Sequence, residues 1–212
     1  MLVLNDDEKM LRESARGFLE ERAPVSALRK LRDEKSADGF DRGLWREMAA
    51  MGWAGVLIPE EHGGLGFGYA GAGILCEEMG RTLTASPFLS TAVMAAAALR
   101  NAGSEAQKQK WLSAIASGEA ILAPAVDEGR RHDPSGIALR AEKHGNGFRL
   151  SGEKTVVVDG NVADALIVAA RTSGAPGETT GITLFLIDRR AKGVAVERTI
   201  MLDSRNAARV TL

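Results

Sequence analysis

The sequence predicts an α+β chain, with an all-α N-terminal part followed by an antiparallel, β-barrel-like part. Three observations carry this reading. The 212 residues are 45% hydrophobic, enough to bury a real core in one or two domains. Apolar residues recur at helical spacing as far as about Gly118, and beyond it the period falls to two. No helical stripe long enough for a crossover separates the later apolar runs, which favours antiparallel pairing over parallel. The expected domains are residues 1–120, helical, and 121–212, β.

The helical elements follow in order. Asn5 with Glu8 is an N-cap followed by acid in the first turn, where the helix dipole favours negative charge. Leu11, Ala15, Phe18 and Leu19 then form one apolar stripe. Phe40, Leu44, Met48 and Met51 form a second, which stops at Gly52. Ser86-Pro87 reads as a cap with proline at the first helical position, opening an alanine-rich helix to about Arg100. Ser104 and Gln107 make a capping box, and Trp111, Leu112 and Ile115 line the buried face behind it.

The second part offers FRLSG, KTVVV, ALIVAA, ITLFLID and VAVER as short strands. Gly145-Asn146-Gly147 is a turn, and GAPGETTG from Gly174 to Gly181 is a surface loop. ARVTL at the end is a further strand with no stop signal after it, as though the β domain were cut there.

Composition narrows the function. Basic and acidic residues number 27 and 28, so no global field points to nucleic acid or a membrane surface. One cysteine, Cys76, excludes an internal disulfide and suits a reducing, cytoplasmic setting. It is expected in the core, as are Trp45, Trp53 and Trp111. MLVLNDDEKM lacks the basic flank and apolar core of a signal peptide, and AVMAAAAL is too short to span a bilayer. His62, His132 and His144 are scattered without metal-ligand spacing, so no metal is expected. Arg130-Arg131-His132 would suit phosphates, although a short basic run is more often a solvated loop.

Gly66, Gly68 and Gly71 stand at G-x-G-x-x-G spacing inside PEEHGGLGFGYAGAG. A dinucleotide site needs a strand running directly into the first glycine and an acidic residue about twenty positions on. PEEHGG intervenes, and the position expected for the acid falls in SPFLS, which has none. The nicotinamide reading is therefore the weakest, and the glycines read as a close-packed turn between helices.

That same stretch carries a resemblance. LIPEEHGGLGFGYAGAGILCEEMGR is similar to the segment of acyl-CoA dehydrogenases in which Ile-Pro-Glu-Glu and a Gly-Gly-x-Gly turn lead into a helix ending Glu-Glu-x-Gly-Arg. GSEAQKQKWLSAIASGE resembles the family's next landmark, and NGFRLSGEKTVVVDGNVADALIVAART its β-domain core. The match keeps its order along the chain. It implies the family's helical and middle β domains, with the C-terminal helical bundle expected to be absent.

The resemblance implies FAD-dependent α,β-dehydrogenation of an acyl-CoA thioester, fatty acyl or steroid, with an electron-transfer flavoprotein or similar acceptor. A homo- or hetero-oligomer is expected. The family's base comes from its C-terminal bundle, so activity is not expected of this chain alone. None of Glu60, Glu61, Glu77, Glu78 and Glu128 takes that role, and a surface position is expected for each. Flavin contact is implied for Ala125, Val126, Asp127, Val156, Val157 and Val158, and substrate contact for His132 and Asp133. The chain departs from the pattern Lys-x-Trp-Ile-Thr-Asn-Gly. Val156 replaces the tryptophan that shields the isoalloxazine, and Val158 the hydroxyl near flavin N5. His132 falls where a serine usually meets the thioester. Two readings stay open: a divergent member that holds FAD through backbone groups, or a degenerate, non-catalytic subunit completing the site of an unlike partner.

Overall fold

Asn5 starts the first helix, α1 (Asp6–Arg22), with a reciprocal capping box. Its side chain accepts the Glu8 N–H at 2.8 Å, and the Glu8 carboxylate accepts the Asn5 N–H at 2.9 Å. The computed structural model describes residues 4–212, which divide into two compact units on either side of Ala120 and Ile121.

In the first unit α2 (Val25–Asp33) buries no residue fully and runs along the surface. α3 (Arg42–Ala50) is capped by Asp41, whose carboxylate accepts the N–H groups of Gly43 and Leu44. The chain leaves it through Gly52 at φ 82°, a left-handed turn that glycine adopts without strain. α4 (Gly68–Thr82) follows the glycine-rich turn. α5 (Ala96–Ala102) and α6 (Glu105–Ala116) complete the unit, and α6 carries the expected Ser104–Gln107 box. Leu19, Met48, Trp53, Leu57, Phe88, Leu112 and Ile115 are among the largest fully buried side chains. Each contributes about 1.5–3 kcal/mol by leaving water.

Four expectations for this unit need correction. Ser86 makes no cap bond. Its hydroxyl meets Met79 Sδ at 3.9 Å, and Phe88–Ala95 winds as a π-helix before α5 begins. Buried Ser90 donates to the Pro87 carbonyl at 3.1 Å, a local bond that competes with the regular ladder. Cys76 is exposed, because the turn of α4 that points Leu75 and Met79 inward carries it outward. Glu78 is buried rather than on the surface. Trp111 is only half-buried, with the Lys110 ammonium 4.7 Å from its ring centre.

The second unit holds β1 (Leu122–Ala125), β2 (Arg140–His144), β3 (Gly147–Ser151), β4 (Glu153–Val158), β5 (Ala165–Arg171), β6 (Ile182–Asp188), β7 (Ala195–Ile200) and β8 (Asn206–Thr211). One sheet is built on β5. β6 runs antiparallel along its whole length, β1 parallel from Leu122↔Ala165 to Ala125↔Val168, and β2 parallel at Arg140↔Arg171. The other sheet is antiparallel, in the order β4-β8-β7.

The sheets do not close into a barrel, and the larger is mixed rather than antiparallel. The β2–β3 hairpin and β4 serve as the crossover between β1 and β5, so no helix is needed. Every residue of β5 is buried. Its uninterrupted ALIVAA is the pattern of a central strand covered on both faces.

Candidate functional site

The site is built on an interruption in β4. Lys154 pairs with Val210 and Val157 with Ala208, so the ladder to β8 skips Thr155 and Val156 as a bulge. The bulged residues bond elsewhere. The Thr155 N–H donates to the Asp127 carbonyl at 2.8 Å, and its hydroxyl to the Gly129 carbonyl at 3.2 Å. Val156 takes φ +51°, a strained conformation for a β-branched residue. Val157 points into the core at 1% exposure, while Val156 and Val158 are 46% and 38% exposed. Two apolar side chains are thus offered outward from a backbone tied to residues 127–129.

Ala125, the last residue of β1, is fully buried. Val126 and Asp127 continue from it, and both carbonyls are engaged, by the Lys154 ammonium at 2.9 Å and the Thr155 N–H. The Asp127 carboxylate reaches His132 Nδ1 at 2.9 Å, leaving the imidazole 70% exposed. Asp133 accepts the Ser135 hydroxyl at 2.7 Å and the Gly136 N–H at 3.0 Å, capping the turn Pro134–Gly136. Those two donors hold its carboxyl below the usual aspartate range.

Lys154 and Arg171 were given no site role by the sequence reading, and Glu128, expected on the surface, is instead part-buried and bonded inside the fold. Lys154 has no exposed surface, and its ammonium meets Glu128 Oε1 at 2.6 Å. Burial pulls the lysine pKa down, against the pull of Glu128. Burial also opposes ionisation of Glu128, but Lys154 and the N–H groups of Ala138 and Leu139 outweigh it and hold the carboxyl low. Both Glu128 oxygens are therefore occupied within the fold, although the side chain is only part-buried. Arg171, at the end of β5, is buried and donates to the carbonyls of Ser135, Ile137, Glu178 and Thr180. No periodicity marks any of these charges as internal.

The glycine-rich turn binds itself. The Gly66 N–H donates to the Ile58 carbonyl at 2.8 Å and the Gly68 N–H to the Val56 carbonyl at 3.1 Å. These are the groups a pyrophosphate would need. A Cβ on Gly64 would run into the Ile58 carbonyl, which explains glycine there by close backbone approach. Among the described residues no group of His, Cys, Asp and Glu could hold a metal ion, and no helix is long and apolar enough to cross a membrane.

Residues 5–119 match the model of the acyl-CoA dehydrogenase N-terminal domain, and residues 126–210 that of the acyl-CoA dehydrogenase middle domain. The chain belongs to the acyl-CoA dehydrogenase family. It is 36% identical over 163 residues to the acyl-CoA dehydrogenase FadE27 of Mycobacterium tuberculosis, covering 77% of this chain and 41% of that one. The structure of the ChsE4–ChsE5 complex from Mycobacterium tuberculosis superimposes with a TM-score of 0.86 at 30% identity, over 99% of this chain and 54% of that one. A Tcur3481–Tcur3483 steroid acyl-CoA dehydrogenase variant gives a TM-score of 0.86 at 33% identity, over 98% and 55%. The chain spans about half the length of the curated relatives it matches.

Within this acyl-CoA dehydrogenase chain the residues suit a flavin in one respect and not in another. The exposed valine pair on a strained, well-tied backbone offers an apolar face to a planar ring. No hydroxyl stands at Val158 to meet a flavin acceptor.

Proposed function

We propose that this chain is the helical and middle β part of an FAD-dependent acyl-CoA dehydrogenase that oxidises the α,β-bond of an acyl-CoA thioester. The observation that carries this reading is the β4 bulge, with Val156 and Val158 turned outward beside residues 126–129. Val156 and Val158 would hold the flavin by apolar contact, and Val126, Asp127 and Val157 by backbone groups. When bound, FAD supplies the two-electron acceptor for the oxidation.

The chain's own residues prepare the substrate side. Asp127 ties down Nδ1 of His132, which leaves Nε2 as the polar atom a thioester would meet. Asp133 acts by shaping the loop, since Ser135 and Gly136 already occupy its carboxylate. Glu78 and Glu128 are held by Arg16 and Lys154, so the α-proton is assigned to a carboxylate outside these residues.

A second reading is favoured by Val158 and by the two-component names of both similar structures. In it the chain lends its surface to an unlike subunit that completes the site. Purification alone and with candidate partner chains separates the two. Bound flavin in the lone chain, and turnover of straight-chain or steroid acyl-CoA thioesters with an artificial acceptor once the remainder is joined, support the first. Colourless protein that gains flavin only with an unlike partner supports the second. Folded protein that takes up flavin in neither setting contradicts both.

A further inference from the structure

We propose that the part-buried Lys154–Glu128 pair is the positioning device of the flavin-facing surface, fixing by backbone tethers what its two valines supply by contact. The inference rests on the reading above and adds residues that touch no ligand.

The argument starts from what the two side chains join. Lys154 sits at the base of the β4 bulge with no exposed surface. Its ammonium donates both to the Val126 carbonyl at 2.9 Å and to Glu128 Oε1 at 2.6 Å. Glu128 accepts the Ala138 N–H at 2.8 Å through Oε2 and the Leu139 N–H at 3.0 Å through Oε1. One ion pair therefore clamps three stretches distant in sequence: 126–128, 138–139 and the start of the bulge.

Ordinary pairing does not hold these stretches. β1 ends at Ala125, and the β4–β8 ladder lapses between Lys154 and Val157. The bulge is strained at Val156, and such a backbone persists only where its surroundings over-determine it. The tethers given to 126–129 and the bulge are then the two bonds made by Thr155 and the Lys154–Glu128 pair, while Leu139 is held as well by the Arg171 N–H at 2.8 Å on its carbonyl. Those from Thr155 lie next to Lys154 in the chain and depend on its placement.

A buried ion pair seldom adds net stability over an apolar pair of like volume, whereas removing one member leaves the other stranded. The pair's use is therefore better sought in geometry. It sets the register of 126–129 against 155–158, the two segments between which a planar ring would be gripped. It also joins that surface to the 132–137 loop, because Ala138 and Leu139 anchor the loop's far end.

The test uses the full chain and two substitutions. Lys154→Met removes the cation and leaves Glu128 with its two backbone donors. Glu128→Gln keeps one acceptor oxygen of the two, removes the charge that balances the ammonium and sets an amide NH2 against one of the backbone donors. Amide hydrogen exchange is measured alongside FAD titration. Both variants should keep slow exchange in β5 while amides of 126–129, 138–139 and 154–158 open faster, and FAD should bind at least tenfold more weakly. Unchanged exchange in those stretches, or FAD affinity within twofold of the parent in a folded variant, overturns the proposal. Loss of β5 protection in both variants overturns it too, since a local device leaves the central strand intact. If the parent itself takes up no FAD, the flavin reading falls separately, and the exchange pattern still decides whether the pair positions this surface.

Discussion

Arg16 on α1 lies across both oxygens of Glu78 on α4, with Nε 3.0 Å from Oε2 and Nη2 2.8 Å from Oε1. The Glu78 side chain is 1% exposed, and Arg81 adds a longer contact at 3.4 Å. The bidentate geometry fixes where the two helices meet as well as neutralising the charge.

The hydrogen bond and charge of Arg16, helped by Arg81, hold the Glu78 carboxyl below its ordinary value of 4.5 against the effect of burial. As pH falls, the unfolded chain then takes up the proton before the folded one. The pair's contribution is whole above 4.5 and is lost as pH drops through the lower folded value. Arg16→Ala should destabilise near neutral pH by about 1–3 kcal/mol, because the buried Glu78 carboxylate is left with only the longer Arg81 contact. The gap in Tm between parent and variant should narrow in acid. A gap that widens in acid would contradict this assignment.

Val156→Gly should raise stability by about 0.5–1 kcal/mol, because relief of the strain outweighs the entropy of the freer unfolded chain. The same change removes half of the exposed apolar pair, so FAD affinity should fall while Tm rises. Chemical denaturation and flavin titration of one preparation check both. A variant both less stable and equally tight would show that the backbone there is unstrained and the side chain idle.

Arg171→Met should lower stability by at least ~3 kcal/mol, since several carbonyls lose their donor at once. Arg171→Lys should recover only part, because an ammonium cannot reproduce the planar fork that reaches Ser135, Ile137, Glu178 and Thr180. Proteolysis should cut first near 135–137 and 178–181. Equal stability of the methionine and lysine variants would argue against a role for the fork.

What the sequence made legible follows from range. Asn5–Glu8 and Ser104–Gln107 could be read because a capping box lies within one helical turn. Ser86 imitated such a cap, but Pro87 and the buried hydroxyl of Ser90 drew the chain into a wider helix. β5 announced itself as an unbroken apolar run, yet its parallel neighbour β1 lies some forty residues upstream, beyond any local pattern. Lys154, Glu78 and Arg171 look like surface charges because their partners are remote in sequence. Val156 and Val158 were read as site positions only through the family resemblance. The structure shows the two exposed beside a buried Val157, an alternation that the run KTVVV does not reveal.

Equilibrium titration of FAD into the purified chain, followed by flavin fluorescence for the parent and for Val158→Thr, tests the central claim most directly. The account expects saturable binding by the parent, tightened several-fold by the added hydroxyl, since a neutral hydrogen bond contributes about 0.5–1.5 kcal/mol. A folded parent and a folded Val158→Thr that both fail to bind FAD saturably would contradict it.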